Sequence, residues 1–246
     1  MTDFGEVPKF DQPPKSPQQE QALSYEQMDK MSSDLATLSK IRDYAHGNGY
    51  TFALTGGYAV DAIDGGEISR MHGDMDGVMF VPSEVPYETI KDAINEQLIV
   101  EITPWELVKD EEGSLEFREN DERKEWGMKR RLELDIFESS PEQNVVTRTL
   151  VDMDGKPHEF ETLSVEWLLA AKVLSMTRLA AMTQEEREQE GFRDMKSSDR
   201  GDFMRLVHSH EFDEKKTRAA LSEAIRYLSD TEMTEEEARV QQICDG

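Results

Sequence analysis

The sequence predicts an α/β (α+β) fold in which a mixed sheet flanked by helices is followed by a helical C-terminal domain. Residues 51–54 form a short β-prone run that precedes a glycine pair and a helical stretch, which gives the order strand, turn, helix. Residues 132–137 alternate aliphatic side chains with carboxylates, the pattern of a strand with one apolar and one polar face. Beyond residue 160 the pattern is mainly helical.

The first helix is predicted by an apolar stripe. From Ser24 onward, apolar side chains recur at spacings of three and four residues, and Gly47 and Gly49 supply the stop. The stripe consists of Met28, Met31, Leu35, Leu38, Ile41 and Ala45. Residues 1–22 instead combine four prolines with polar residues, so a disordered tail is expected there.

The other elements follow from strand, turn and helix signals. Strands are expected at 51–54, 74–81 and 132–137, with two more between 98 and 118 and a hairpin around Asp154–Gly155. Helices are expected at 58–64, 86–97, 164–182, 199–208 and 214–228. This order predicts a first domain over residues 23–160 and a helical C-terminal domain over residues 161–246.

The charge of the chain bears on its partners. The sequence has 53 acidic and 28 basic residues, a formal net charge of -25 and a pI near 4.5. Such a surface repels phosphate backbones, so a nucleic-acid partner is less expected than a small or cationic one. The local exception is a basic cluster formed by Arg123, Lys124, Lys129, Arg130 and Arg131.

Cysteine usage and hydropathy bear on the compartment. Cys244 is the single cysteine, so neither an internal disulfide nor a structural zinc motif is expected. No run approaches the ~20 apolar residues that span a bilayer. We therefore expect a cytoplasmic protein without a membrane partner; the sequence does not indicate the oligomeric state.

A candidate active site is predicted by the segments around Gly56–Gly57 and Asp74. A glycine pair between a strand and a helix lets a ligand approach the backbone closely, and the helix N-terminus favours a phosphate. Asp74 and Asp76, two apart on a strand, project to the same side and can share divalent ions. Asp135, on a separate strand, would complete a cage for two magnesium ions.

Gly-Gly followed by Arg-x-His-x-Asp-x-Asp resembles the polymerase-β-like nucleotidyltransferases, and within them the aminoglycoside adenylyltransferase-like and abortive-infection toxin-like branch. The motifs follow in the family's order over residues 50–205. The resemblance implies a nucleotidyltransferase mixed sheet, and transfer of a nucleoside monophosphate from ATP or another NTP to a hydroxyl with Mg²⁺ as cofactor. Gly77 departs from the pattern, because an aliphatic residue usually follows the second aspartate.

The resemblance also suggests roles for further residues. It favours Asp135 over Glu133 as the third metal ligand, and leaves Glu133 as a general base or a solvated carboxylate. Tyr58 follows the glycine pair and is grouped with the nucleotide-binding residues. Arg70 and His72 match family positions that hold substrate or phosphate, and ordering of the loop is the alternative.

Lys172 lies on the apolar stripe of its helix, where a lysine without a partner is costly. It is therefore expected to meet a carboxylate, for which Asp199 and Asp202 are candidates, or to reach the triphosphate as its family counterpart does.

Three functions stay open at this point. The first is an enzyme that nucleotidylates a small, cationic acceptor such as an aminoglycoside, with a role in antibiotic resistance. The second is a toxin-like nucleotidyltransferase that modifies tRNA or protein, supported only by the local basic cluster. The third is a fold relative that binds a nucleotide or a partner protein without catalysis.

Overall fold

The computed structural model describes residues 25–99, 102, 105–111, 113–119, 130–138, 144–152, 154–183 and 197–228. The predicted tail at 1–22 and the acidic C-terminal end lie outside these residues. Helix α1 spans Tyr25–Gly47, as its stripe predicts. From Met31 to Ala45 the five apolar residues of that stripe are fully buried, whereas the side chain of Met28 lies outside the described part.

Seven strands form one mixed sheet in the order β3-β4-β5-β2-β1-β7-β6. Strand β1 is antiparallel to β2 and parallel to β7, while β2 is parallel to β5. The neighbouring pairs β3/β4, β4/β5 and β6/β7 are antiparallel. The strands are β1 Thr51–Leu54, β2 Asp74–Val81, β3 Trp105–Glu111, β4 Ser114–Glu119, β5 Arg131–Glu138, β6 Val145–Val151 and β7 Pro157–Leu163.

Two helices between the strands differ from the sequence prediction. Helix α2 spans Gly56–Ile63, so the glycine pair forms its first turn instead of preceding it. Helix α3 spans Tyr87–Ala93 and continues as a π-helical turn over Ile94–Leu98, where apolar side chains at both ends are buried. The wider π turn keeps the segment predicted at 86–97 helical but changes its period.

The C-terminal part is helical, with α4 at Val165–Ala181, α5 at Ser197–Val207 and α6 at Glu214–Leu228. The first turns of α4 bury Val165, Leu168 and Leu169 in the core of the sheet. Further along, α4 packs against α6 in a second apolar cluster, formed by Ala170, Leu174, Ala220, Leu221 and Ile225. Helix α4 therefore contacts both halves of the molecule, and a domain boundary at residue 160 stays a prediction.

Across the described residues, no helix is both long enough and apolar enough to cross a membrane.

Candidate active site

Strands β2 and β5 bring the predicted carboxylates to one face of the sheet. Their parallel register pairs Asp74 with Arg131 and Asp76 with Glu133. Side chains alternate between the faces of a strand, so these four residues share one face. The intervening Met75 and the β5 leucines are buried on the other face, as the alternation in β5 predicts.

The register separates the two candidates for the third ligand. Glu133 lies directly beside Asp76, whereas Asp135 lies two pairs further along, beside Val78, and its side chain is exposed. Both residues stay on the face of the aspartate pair. The structure thus makes Glu133 the nearer carboxylate, although the family resemblance favours Asp135.

Negative charge is concentrated on this face. Burial, together with the charges of Asp74 and Glu133, raises the pKa of Asp76 well above its ordinary value. Burial likewise raises the pKa of Glu133; Arg131 opposes the shift, and Asp135 and Asp74 reinforce it. These carboxylates repel one another, and a bound cation would reduce that repulsion.

Arg131 occupies the centre of the carboxylate group. Its Nη2 lies 3.3 Å from Asp74 Oδ2, and its Nη1 lies 2.9 Å from Glu133 Oε1. Within the described residues, no three acidic, histidine or cysteine side chains converge into a ready metal site. The donor set nevertheless fits magnesium, because carboxylate oxygens are its preferred ligands and Asp74, Asp76 and Glu133 lie side by side on one face.

The glycine turn lies directly against Asp76. Gly56 has φ +58°, and a Cβ built on it would lie 1.9 Å from Asp76 Oδ2. The amide of Thr55 donates to the backbone oxygen of Asp76 at 3.0 Å. Glycine is therefore required at position 56 both by its left-handed backbone and by the carboxylate beside it.

Gly57 faces the loop before β2. A Cβ on Gly57 would lie 2.1 Å from His72 Nδ1 and 3.1 Å from Arg70 Nη2. The sequence suggested that a side chain here would obstruct a triphosphate. In the structure it would strike His72 first, so loss of nucleotide binding in a Gly57→Val variant would not by itself locate the phosphates.

His72 is buried and paired with Asp61 of α2. Its Nε2 donates to Asp61 Oδ2 at 2.7 Å, which leaves Nδ1 towards Gly57. Although burial opposes ionisation of Asp61, hydrogen bonds from His72, Ser69 and Arg205 hold its pKa below the ordinary value. This geometry favours the loop-ordering role of His72 over direct contact with a substrate.

Tyr58 also points into the protein interior. Its side chain is buried, and its hydroxyl donates to Asp34 Oδ2 of α1 at 2.7 Å. Asp34 pairs in turn with Arg130, the residue before β5, and with Lys30 at 3.2 Å. Tyr58 therefore links α2 to α1, and its assignment to the nucleotide-binding residues has no support in this geometry.

The predicted partner of Lys172 is present. Lys172 Nζ lies 3.5 Å from Asp202 Oδ2, and Arg70 Nη2 lies 2.8 Å from the same oxygen. The prediction that Lys172 meets a carboxylate is confirmed for Asp202, while the side chain of the other candidate, Asp199, lies outside the described part. One buried carboxylate thus joins two of the cations expected to contact phosphate.

Two residues of the basic cluster, Arg130 and Arg131, already form ion pairs with carboxylates of this chain. Arg130 is buried against Asp34 and Glu119, and Arg131 pairs within the carboxylate group. Arg123, Lys124 and Lys129 lie outside the described residues. Two of the five cations that supported an RNA substrate are therefore engaged inside the protein.

Several residues at the site were missed by the sequence analysis. Arg131 alternates with Glu133 and Asp135, so its presence on the carboxylate face could have been read from the period of the strand. Asp61 interrupts the apolar run of α2, which signals a buried charge. Asp34 gave no local signal, because its partners are distant in sequence.

No family model matches the sequence, and no characterised protein matches at the sequence level. Among solved structures, the solution structure of the antibiotic-resistance factor ANT(2'')-Ia matches with a TM-score of 0.51 and 16% identity, over 82% of this chain and 96% of that chain. A crystal structure of ANT(2'')-Ia in complex with adenylyl-2''-tobramycin matches with a TM-score of 0.47 and 15% identity, over 82% and 99%. JHP933 from Helicobacter pylori matches with a TM-score of 0.47 and 14% identity, over 91% and 92%. The similarity to ANT(2'')-Ia confirms the predicted α/β nucleotidyltransferase fold.

Proposed function

We propose that this protein is a metal-dependent nucleotidyltransferase that moves a nucleoside monophosphate, with AMP as the first candidate, from an NTP to a hydroxyl of a small cationic acceptor. The observation that carries the proposal is the contact between the two predicted halves of the site. The glycine turn at Gly56 lies against Asp76, and Asp76 lies beside Glu133. A phosphate-binding turn and a carboxylate group therefore share one location.

The residues divide into two sets in the proposed reaction. Asp74 and Asp76 are the proposed Mg²⁺ ligands, with Glu133 as the nearer and Asp135 as the farther candidate for the third ligand. Glu133 is alternatively the base that accepts the acceptor's proton. When bound, Mg²⁺ would supply positive charge that activates the acceptor hydroxyl and stabilises the departing pyrophosphate. The glycine turn, Arg70 and Lys172 form the phosphate side, whereas Tyr58 and His72, which the family resemblance also groups there, bind Asp34 and Asp61.

The reaction balances without an additional reactant. The acceptor oxygen forms a bond to the α-phosphorus, the bond from that phosphorus to the bridging β-phosphate oxygen breaks, and the acceptor proton passes to a carboxylate or to solvent. Pyrophosphate leaves with the bonding electron pair.

The small-acceptor hypothesis is supported by charge and by fold. A chain with a net charge of -25 attracts cationic molecules. The fold is shared with ANT(2'')-Ia, a protein solved with adenylyl-2''-tobramycin. Because Arg130 and Arg131 are held in internal ion pairs, the toxin-like alternative with a tRNA or protein substrate loses part of its support.

A labelling assay tests the proposal. The protein is incubated with labelled NTPs and Mg²⁺ against an aminoglycoside panel and bulk tRNA, with Asp74→Asn as the inactive control. Label on an aminoglycoside supports the proposal, and label on tRNA alone selects the toxin-like function. Nucleotide binding with no transfer to any acceptor would favour the non-catalytic alternative.

A titration of Mg²⁺ in the same assay identifies the third carboxylate. Glu133→Gln and Asp135→Asn are compared with Glu138→Gln, which removes an exposed carboxylate from the same strand. Because Glu133 lies beside Asp76, we expect its replacement to reduce Mg²⁺ affinity more than replacement of Asp135. The reverse order would restore the family assignment.

A further inference from the structure

Asp202 of α5 is a buried carboxylate surrounded by cations from three separate segments. Its residue exposure is 3%. Oδ2 accepts from Arg70 at 2.8 Å and lies 3.5 Å from Lys172, while Oδ1 lies 3.8 Å from Arg205. The loop before β2, helix α4 and helix α5 therefore meet at a single side chain.

Arg70 and Lys172 share Asp202 as their carboxylate partner. Arg205 has two further carboxylate partners, Asp61 in α2 at 2.8 Å and Asp64 just after α2 at 2.6 Å. Arg70 and Lys172 are recorded in ion pairs only with Asp202 among the described residues. Two cations thus share one carboxylate oxygen, an arrangement in which a second anion can accept hydrogen bonds from both.

Arg70 lies at the glycine turn. Arg70 Nη2 is 3.1 Å from the position of a Cβ on Gly57, at the start of α2. Free backbone amides and the positive end of the helix dipole favour an anion at this end of a helix. The cations held by Asp202 therefore border the place where phosphates would enter.

We infer that Asp202 is a positioning residue that holds Arg70 and Lys172 together before nucleotide binds, and that the phosphates then take over these cations. The inference rests on the proposed function. The Asp202 carboxylate can occupy the place of a phosphate before nucleotide binds, because guanidinium and ammonium groups bind carboxylate and phosphate oxygens alike. The arrangement avoids leaving two cations unpaired, and its consequence is that Asp202 competes with the phosphates.

If Asp202 competes with phosphates for Arg70 and Lys172, removal of its charge should tighten phosphate binding. A purely structural ion pair does not predict this gain. Asp202→Asn keeps the size of the side chain but removes the competing charge. We expect inorganic pyrophosphate to bind the variant about tenfold more tightly, which is the scale of one moderate charge interaction. The variant should also unfold at a lower temperature than the wild type, because two partly buried cations lose their carboxylate partner. Pyrophosphate should restore more stability to the variant than to the wild type.

The experiment is a calorimetric titration of the full chain with pyrophosphate in EDTA at low ionic strength. Glu211→Gln is the matched control, because it removes a carboxylate paired with Arg148 elsewhere in the structure, and its pyrophosphate affinity should equal that of the wild type. Adding Lys172→Met to Asp202→Asn should abolish the gain. Equal or weaker binding by a folded Asp202→Asn variant, or no binding by either protein, would overturn the inference.

Two further variants keep the inference testable if Asp202→Asn does not fold. Arg70→Gln and Lys172→Met should each weaken pyrophosphate binding several-fold, and unchanged affinity in both would overturn the inference. The titration contains neither metal nor acceptor. Pyrophosphate binding as expected without nucleotide transfer would therefore refute the proposed function alone, whereas transfer without the gain in Asp202→Asn would refute this inference alone.

Discussion

The two charged regions of the molecule are built in opposite ways. On the carboxylate face, Asp74, Asp76 and Glu133 crowd around one arginine, and the pKa of Asp76 is raised. Behind the glycine turn, Asp61 is fully buried with His72 and Arg205, and its pKa is lowered. The mutually repelling carboxylates of the first region can bind a cation. The paired charges around Asp61 instead hold the loop before β2 in place.

The largest expected effect is on the carboxylate face. Asp76→Asn should reduce nucleotide transfer by well over about a hundredfold, since changes even in residues that support metal ligands cost 10–100-fold. Stability should stay the same or rise, because one of several repelling carboxylates is removed. Transfer rates and thermal unfolding of the metal-free protein check both statements; substantial activity in this variant would refute the assignment of the site.

Removal of a carboxylate from the Asp61 cluster should lower stability, in contrast to Asp76→Asn. Asp61→Asn leaves Arg205 without its buried counter-charge and removes the carboxylate that His72 binds, and we expect a loss of about 3–5 kcal/mol in the free energy of unfolding. Asp64→Asn is the control, because Asp64 binds the same arginine but is more than half exposed, so its loss should cost at most about 1 kcal/mol. Urea unfolding measures both, and equal costs would contradict the contrast between the regions.

Gly77 tests the packing beneath the carboxylate face. A Cβ on Gly77 would lie 2.2 Å from Cε2 of the buried Phe52 ring, which fills the space that an aliphatic residue would need. Gly77→Val should therefore destabilise the fold by about 1–3 kcal/mol, the usual cost of overpacking.

A second substitution identifies the cause of that destabilisation. Phe52→Ala combined with Gly77→Val should cost less than the sum of the single changes, because the cavity accommodates the new side chain. Gly201→Ala, at a helical position with open space, should be neutral or stabilising. Additive costs in the double variant would show that the Phe52 ring is not what excludes a side chain at position 77.

The smallest effect concerns acid stability. Because the folded-state pKa of Asp61 is lowered, its stabilising contribution is complete above the unfolded pKa of about 4 and is lost as pH falls through the folded value. Unfolding free energies of Asp61→Asn should therefore fall less steeply below about pH 4 than those of the wild type. Parallel curves would show that Asp61 does not carry this pH dependence.

The sequence predicted the strands, most helices and the carboxylates because these depend on short-range patterns. The period of β5 located Leu132 and Leu134 on the buried face and Glu133 on the other, and the stripe of α1 identified a buried face that the structure confirms. The sequence also predicted the fold class that the similarity to ANT(2'')-Ia confirms. The start of α2 was two residues late, because glycine has low helix propensity even where it forms the first turn.

Local patterns identify which residues share a face of one helix or strand, since the helix and strand periods follow from local backbone geometry. The tertiary structure alone decided which charges meet. The register between β2 and β5 brings Glu133 beside Asp76, and the packing of α5 brings Asp202 to Arg70, 132 residues away in sequence. Pairing between distant segments depends on how whole elements pack, and no local pattern of residues records it.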